Sequence, residues 1–390
     1  MLNCFLISPT QGLCLALQGM CAELGEVFVY KALDSYPSLT ELSRFLNVVD
    51  PEVMLLEIGP MDEAMKVAAF VHEHRPQTVI IGFTRQRDRA RFALAATLGV
   101  GEILVAPFTL EDLRQALWRS FRQRPLPVFP SLMAFLPSKP GSGASTIAAN
   151  LAGVLANQAG QSVLLIDGDR QAGVLATLLN VEPRNTVLDT LKTSHELDDG
   201  TWTYRKFQVR GFDLLAMPPR PEMTELPPWC YHRLLQFVQS RYERVMLDLP
   251  HVIEAEQDAF LRQAGSVFVV CTPEPAALLL ARRRIEELHR FGVDQKRINL
   301  VLNRRLEQDR EAHEIEKFLD APLYAVLPYD YASVRKAALT GALVAEKSEL
   351  GTAFNWMAHK LVGLPVPDLA VGASHGGLRS LFRRRTVEAL

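Results

Sequence analysis

The stretch Phe135–Asn150, FLPSKPGSGASTIAAN, holds the residue types that bind phosphate: an apolar run, a turn containing Gly141 and Gly143, a hydroxyl at Ser145, then a helix-forming series. Such a turn aims several backbone N–H groups at an anion, the helix start adds its dipole, and the two glycines let the backbone come close. Ser145 is placed to ligate a magnesium ion that bridges phosphates. Measured against GxxxxGK[ST], the match is partial: Ser138 replaces the first glycine and Ala144 the lysine. Lys139, in the same loop, is the cation that could reach the phosphates from another direction. A strand, a glycine turn and a helix also follow one another by coincidence, so the loop needs support from elsewhere.

Two acidic strand ends supply it. In VLLIDGDRQAG, Asp167 and Asp169 stand just past an apolar run, where a carboxylate can orient water or hold a magnesium-bound water. In RVMLDLPH, Asp248 takes the position of a Walker B aspartate. For these to meet, the strands must be parallel neighbours whose carboxyl ends line one crevice, as in a doubly wound sheet. The sequence provides the strands, as apolar runs at Leu132–Leu136, Ser162–Ile166, Phe212–Ala216, Arg244–Leu247, Ser266–Val270, Ile298–Leu302 and Leu323–Val326.

An earlier βα series gives strands at Asn3–Ser8, Glu26–Ala32, Val53–Ile58, Thr78–Phe83 and Glu102–Val105, which suits a flavodoxin-like unit. RQRPLPVFP, with three prolines, reads as an extended connection. The fold class is α/β, two doubly wound parallel-sheet domains. They cover residues 1–120 and 132–364, with a linker at 121–131 and a flexible basic tail at 365–390. That tail, with Leu378, Leu381 and Phe382 beside Arg379 and Arg383–Arg385, reads as a solvated end or as a membrane-surface or partner contact.

The 390-residue length suits two domains, and a formal net charge of -2 with 22% charged residues argues against general disorder and against a globally basic nucleic-acid binder. Five cysteines form no CxxC pair, which fits a reduced cytoplasm. The apolar start has no basic segment and is interrupted by Pro9 and Gln11, so neither a leader nor a membrane span is expected.

On these residues the second unit resembles the MinD/ParA family of deviant Walker ATPases, and within it the Flp/Tad pilus assembly branch called CpaE or TadZ. The family's KGGxGKT stands here as KPGSGAST, that is Lys139, Pro140, Gly141, Ser142, Gly143, Ala144, Ser145 and Thr146. The resemblance implies an ATP and magnesium site in which Lys139 reaches the nucleotide of a partner subunit across a homodimer. It makes Ser145 the metal ligand, Thr146 a phosphate contact, Asp169 the water-orienting residue and Asp248 the Walker B aspartate. Asp167 is expected to hold the metal, partly through water. By the same resemblance Asn303 and Arg304 border the adenine, and Pro328 and Asp330 belong to the loop closing over it.

Ala144 removes the lysine that neutralises charge on the β- and γ-phosphates, a loss of about 10²–10³ in rate. A nucleotide-dependent dimer switch with weak or no hydrolysis is therefore expected, serving pilus or secretion machinery, in the cytoplasm or peripherally at the inner membrane or cell pole. The rival is an active partition or cell-division ATPase cycling on DNA or membrane, against which Ala144 argues.

The first unit resembles a response-regulator receiver without its chemistry. Glu57 stands for the phosphoacceptor aspartate, Ser8 with Pro9 for the metal-binding acids, and Ala106 before Pro107 for the lysine, and only Thr84 keeps the pattern. Its expected use is interaction or dimerisation, with simple stabilisation as the alternative. Finally, Arg282–Arg284 with Glu286 and Glu287 on one helix reads as a salt-bridged surface face, which leaves DNA contact without a wider basic stripe.

Overall fold

Strands of a parallel sheet are buried on both faces, so they need unbroken apolar runs and not alternation. The chain meets that need twice. In the computed structural model, which describes residues 1–59, 62–124, 126–220 and 225–365, the chain divides into two compact units, Met1–Leu126 with Pro227–Trp229, and Pro127–Leu226 with Cys230 onward. Apart from Pro365, the basic tail read from the sequence lies outside the described residues.

The first unit is a five-stranded sheet of β1 (Leu2–Ile7), β2 (Val27–Leu33), β3 (Val53–Glu57), β4 (Val79–Thr84) and β5 (Val100–Val105). Its order is β2-β1-β3-β4-β5, every pair parallel. This is the flavodoxin-like order. Phe5, Leu42, Met54 and Val67 lie in its core. Its last helix, Leu110–Gln123, starts from a capping box between Thr109 and Asp112 and buries Leu113, Leu117 and Phe121 at helical spacing. That apolar face carries the helix to Gln123, and the next strand opens at Phe129, so the segment read as a linker is shorter than 121–131.

The second unit contains β6 (Phe129–Pro137), β7 (Val163–Asp167), β8 (Phe207–Val209), β9 (Phe212–Leu215), β10 (Arg244–Asp248), β11 (Ala264–Cys271), β12 (Ile298–Arg305) and β13 (Leu323–Pro328). The order is β13-β12-β11-β6-β10-β7-β9-β8. Seven of these strands match apolar runs in the sequence. The exception is β8, a three-residue edge strand pairing antiparallel with β9 across Arg210 and Gly211. Both turn residues have positive φ, 50° and 93°, as a tight two-residue hairpin requires.

The helix Ala144–Asn157 covers the centre of this sheet. Its buried face is mostly small, with Ala148, Ala149, Ala152 and Gly153, and a Cβ at Gly153 would come within 2.1 Å of Leu343 Cδ1. Beneath it Phe135 stacks on Phe268 at 4.9 Å. No helix among the described residues is long and apolar enough to cross a membrane.

At the carboxyl edge of the first sheet, Glu57 is buried and its charge is met from within. Oε2 accepts from Ser8 Oγ at 2.7 Å and from the Thr10 amide at 3.0 Å, and Oε1 accepts from Thr10 Oγ1 at 2.7 Å. Thr84 Oγ1 accepts from the Gln86 amide at 3.2 Å, and Ala106 N donates to the Thr84 carbonyl at 2.8 Å. Replacing Glu57 with alanine strips the Ser8 and Thr10 donors of their acceptor, a cost of about 1–3 kcal/mol. The expected result is faster hydrogen exchange along β1 and β3 and a lower unfolding midpoint, whereas unchanged exchange would show that these bonds add nothing.

Candidate functional site

The site is built by the switch in strand order at β6, which has β11 on one side and β10 on the other. Ligands in open α/β sheets sit where the order reverses, outside the carboxyl ends of the strands. A cavity of about 540 Å³ opens there, lined among others by Gly141, Gly143, Ser145, Thr146, Asp169 and Asp248. The glycine loop and two of the acidic residues singled out by sequence thus meet in one place. Ala144, Pro140 and Arg304 line it too.

The loop between β6 and the helix is stitched from inside. Ser142 Oγ donates to the Lys139 carbonyl at 2.6 Å and accepts from the Lys139 amide at 3.2 Å. Gly143 adopts φ 98°, and a Cβ there would come within 2.4 Å of Asn303 Nδ2. That closeness is used, because Asn303 Nδ2 donates to the Ser142 carbonyl at 2.8 Å while its Oδ1 accepts from the Arg304 amide at 2.9 Å. Asn303 is therefore a clamp on the loop's backbone. Lys139 is half-buried and stands outside the cavity lining, and its charge and that of Arg304 act on Glu274.

Asp167 and Asp248 end β7 and β10 as register partners, and both are buried. Burial pushes the Asp167 carboxyl up to about 7, against backbone hydrogen bonds that favour its charge. Its Oδ1 accepts from the Asp169 amide and its Oδ2 from the Leu175 amide, each at 3.2 Å. Asp167 thus anchors the loop behind the cavity wall, outside the lining. Burial, then the neighbouring Asp167 charge, raises the Asp248 carboxyl well above the usual range, and a hydrogen bond with Ser145 opposes the rise. Asp169 is more open, its Oδ1 accepting from the Gln171 and Ala172 amides at 3.1 and 2.9 Å.

Residues 134–344, just over half of the chain, match the family described as the CobQ/CobB/MinD/ParA nucleotide binding domain. The chain belongs to this family. It is 29% identical over 257 residues to the septum site-determining protein MinD of Synechocystis sp., covering 63% of this chain and 95% of that protein. Solved structures that share the fold include a ParA family ATPase from Chlorobium tepidum, with a TM-score of 0.55 at 24% identity over 59% of this chain and 99% of that one. Another is a septum site-determining MinD from Pyrococcus horikoshii complexed with Mg-ADP, with a TM-score of 0.50 at 22% identity over 59% and 95%.

The donor set fits a nucleotide-binding domain of the MinD/ParA type. Ser145 and Asp248 offer the hard oxygen ligands magnesium prefers, and no cluster of three or more His, Cys, Asp and Glu among the described residues could hold a metal unaided. Magnesium bound by one or two protein oxygens needs phosphate and water to complete its shell. Pro328 ends β13 opposite Arg305, and Asp330 caps the helix Tyr331–Thr340 by accepting from the Ser333 amide at 3.0 Å; neither lines the cavity.

Sequence reasoning missed one contact. Arg284, read as part of a solvated face, is buried: its guanidinium meets Glu287 at 2.6 Å, His251 Nδ1 at 3.1 Å and the His251 carbonyl, while Arg282 stays exposed beside Glu286 at 3.7 Å. His251 lines the cavity, so Arg284 holds the loop after β10 in place. The i, i+3 spacing to Glu287 suits a surface pair equally well, and only the packing of the His251 loop separates the two.

Two consequences can be measured. An acid that ionises later in the folded chain than in the unfolded one leaves the folded chain holding more protons, so stability falls as pH rises from the ordinary Asp range through about 7. Asp167→Asn removes that component, and wild type should lose more of its thermal midpoint than the variant between about pH 5 and about pH 8 in chelator. Equal losses would count against a buried ionisable pair. Asn303→Ala deprives the Ser142 carbonyl of its donor at a cost of about 1 kcal/mol. Amide exchange across residues 141–145 should then quicken, and exchange at the wild-type rate would mean the clamp is idle.

Proposed function

We propose that the second unit binds ATP with magnesium, dimerises on doing so and hydrolyses it slowly or not at all, and that the chain acts as an assembly or placement factor for a surface pilus. One observation carries the switch reading. Ala144 is the first residue of the helix on the cavity wall, where the ordinary loop has its lysine, while Ser145, Asp169 and Asp248 face the same cavity. Binding groups are in place and a main source of catalytic charge is not.

In this reading the amides of the loop from Gly141 to Ser145 receive the phosphates, with Ser145 and Asp248 holding magnesium. Magnesium supplies charge neutralisation between phosphate oxygens. Asp169 orients water, and Thr146 adds a hydroxyl to a phosphate. Lys139, half-buried and outside its own chain's cavity lining, is the residue for the partner's nucleotide. Val174 and Val252 line the cavity and are 46% and 65% exposed, apolar surface at its rim that a second copy would cover. Arg304 borders the cavity on the side assigned to the base, with Asn303 behind it.

The pilus assignment rests on the resemblance to the CpaE/TadZ branch and on the unit that precedes the nucleotide domain. That unit's strand order supports a receiver-like fold, and Glu57, enclosed by Ser8 and Thr10, supports one that docks partners and accepts no phosphate. Recruitment to secretion machinery, peripherally at the inner membrane or pole, follows from the same resemblance.

Light scattering after gel filtration tests the switch. ATP with magnesium should convert wild type to a dimer and leave Lys139→Ala monomeric. Phosphate release should be near background in wild type and rise about 10²-fold or more in Ala144→Lys. Robust turnover by wild type would favour an ATPase cycling on DNA or membrane and defeat the assembly-switch reading.

A further inference from the structure

Ala144 leaves a deficit of positive charge that the rest of the cavity wall has to answer. Asp169, Asp248 and Glu254 line it, all acids, and the arginines among the lining residues are Arg170 and Arg304. With magnesium and the Lys139 of a second copy already assigned to the phosphates, a polyanion among carboxylates still gains from a cation on the wall itself. Arg304 is exposed at the end of β12 and acts on Glu274. His251, the remaining basic side chain in the lining, has its Nδ1 taken up by the Arg284 guanidinium.

Arg170 also lines the cavity, and what sets it apart is the backbone that presents it. It is half-buried, and it projects from a turn that is pinned on both sides. Upstream, the Asp169 amide donates to Asp167; downstream, the Gln171 and Ala172 amides donate back to Asp169. Gln171 Nε2 also donates to Glu254 Oε1 at 2.7 Å, which ties the turn to the loop after β10. A guanidinium presented from so fixed a backbone loses less freedom on binding, and its planar fork matches a pair of phosphate oxygens.

We infer that Arg170 supplies the nucleotide phosphates with the positive charge that Ala144 cannot. The inference rests on the nucleotide-binding reading above and names the residue that makes binding without the loop lysine workable. Arg170 then serves affinity, through a loop that the ordinary pattern does not use for this purpose, and replaces a lysine on the helix with an arginine from the turn after β7.

Affinity for ATP with magnesium, measured by calorimetry on the full chain, tests it with four proteins: wild type, Arg170→Gln, Ala144→Lys and the double variant. Thermal melts confirm that each is folded, and Arg170→Lys is a second route should Arg170→Gln prove unstable. Arg170→Gln should weaken binding about 10–100-fold. The double variant should recover most of that loss, because the restored lysine takes over, and Arg170→Lys should recover part of it. Wild-type affinity in Arg170→Gln, or no recovery in the double variant, overturns this inference while leaving nucleotide binding intact. No binding by wild type overturns both.

Discussion

Two carboxylates ending adjacent parallel strands and shut away from water set the terms for everything around the cavity. Asp167 and Asp248 are register partners, so neither can turn from the other without breaking the sheet. A buried charge has to be met by hydrogen bonds or by a counter-charge. Asp167 is met by the amides of Asp169 and Leu175, which obliges the chain after β7 to fold back over its own strand end. Asp248 is met by the Ser145 hydroxyl, which ties the first turn of the helix after β6 to the end of β10. One electrostatic demand thus shapes two loops.

The third wall comes from the opposite side of β6. The bond from Asn303 to the Ser142 carbonyl brings the end of β12 against the glycine loop and works only because residue 143 has no side chain. Arg284 does for the loop after β10 what Asn303 does for the loop after β6, gripping His251 from a helix that does not itself line the cavity. The cavity is held by contacts one layer behind its surface. The backbone of the glycine loop is accordingly held in place by the protein's own contacts.

How far all this could be read in advance depended on distance along the chain. Parallel strands were legible because burial on both faces leaves an apolar run, and β8 was not, being three residues at a sheet edge; its only local sign is Gly211 after Arg210. The loop was legible from Gly141, Gly143 and Ser145, whose meaning is local. Asn303 was singled out, but for a place beside the base; that it clamps Ser142, 161 residues earlier, depends on a strand order with one strand between β12 and β6. Arg284 was misplaced on the surface because helical spacing reports which side chains share a face and not what covers that face.

The two sheets make a controlled contrast. Each ends a central strand in a carboxylate at its carboxyl edge, the place where doubly wound folds bind ligands. In the first, Ser8 and Thr10 donate to both carboxylate oxygens of Glu57, two bonds to Oε2 and one to Oε1. In the second, Asp248 meets the Ser145 hydroxyl beside a second acid, and a cavity opens in front of it. Burying one carboxylate with donors produces a quiet edge, whereas burying a second acid beside Asp167 leaves like charges in contact that a cation would relieve. Two parallel-sheet edges thus end in a carboxylate, one enclosed by donors and one open to a cavity, and the difference is decided by which side chains stand within hydrogen-bonding reach of that carboxylate.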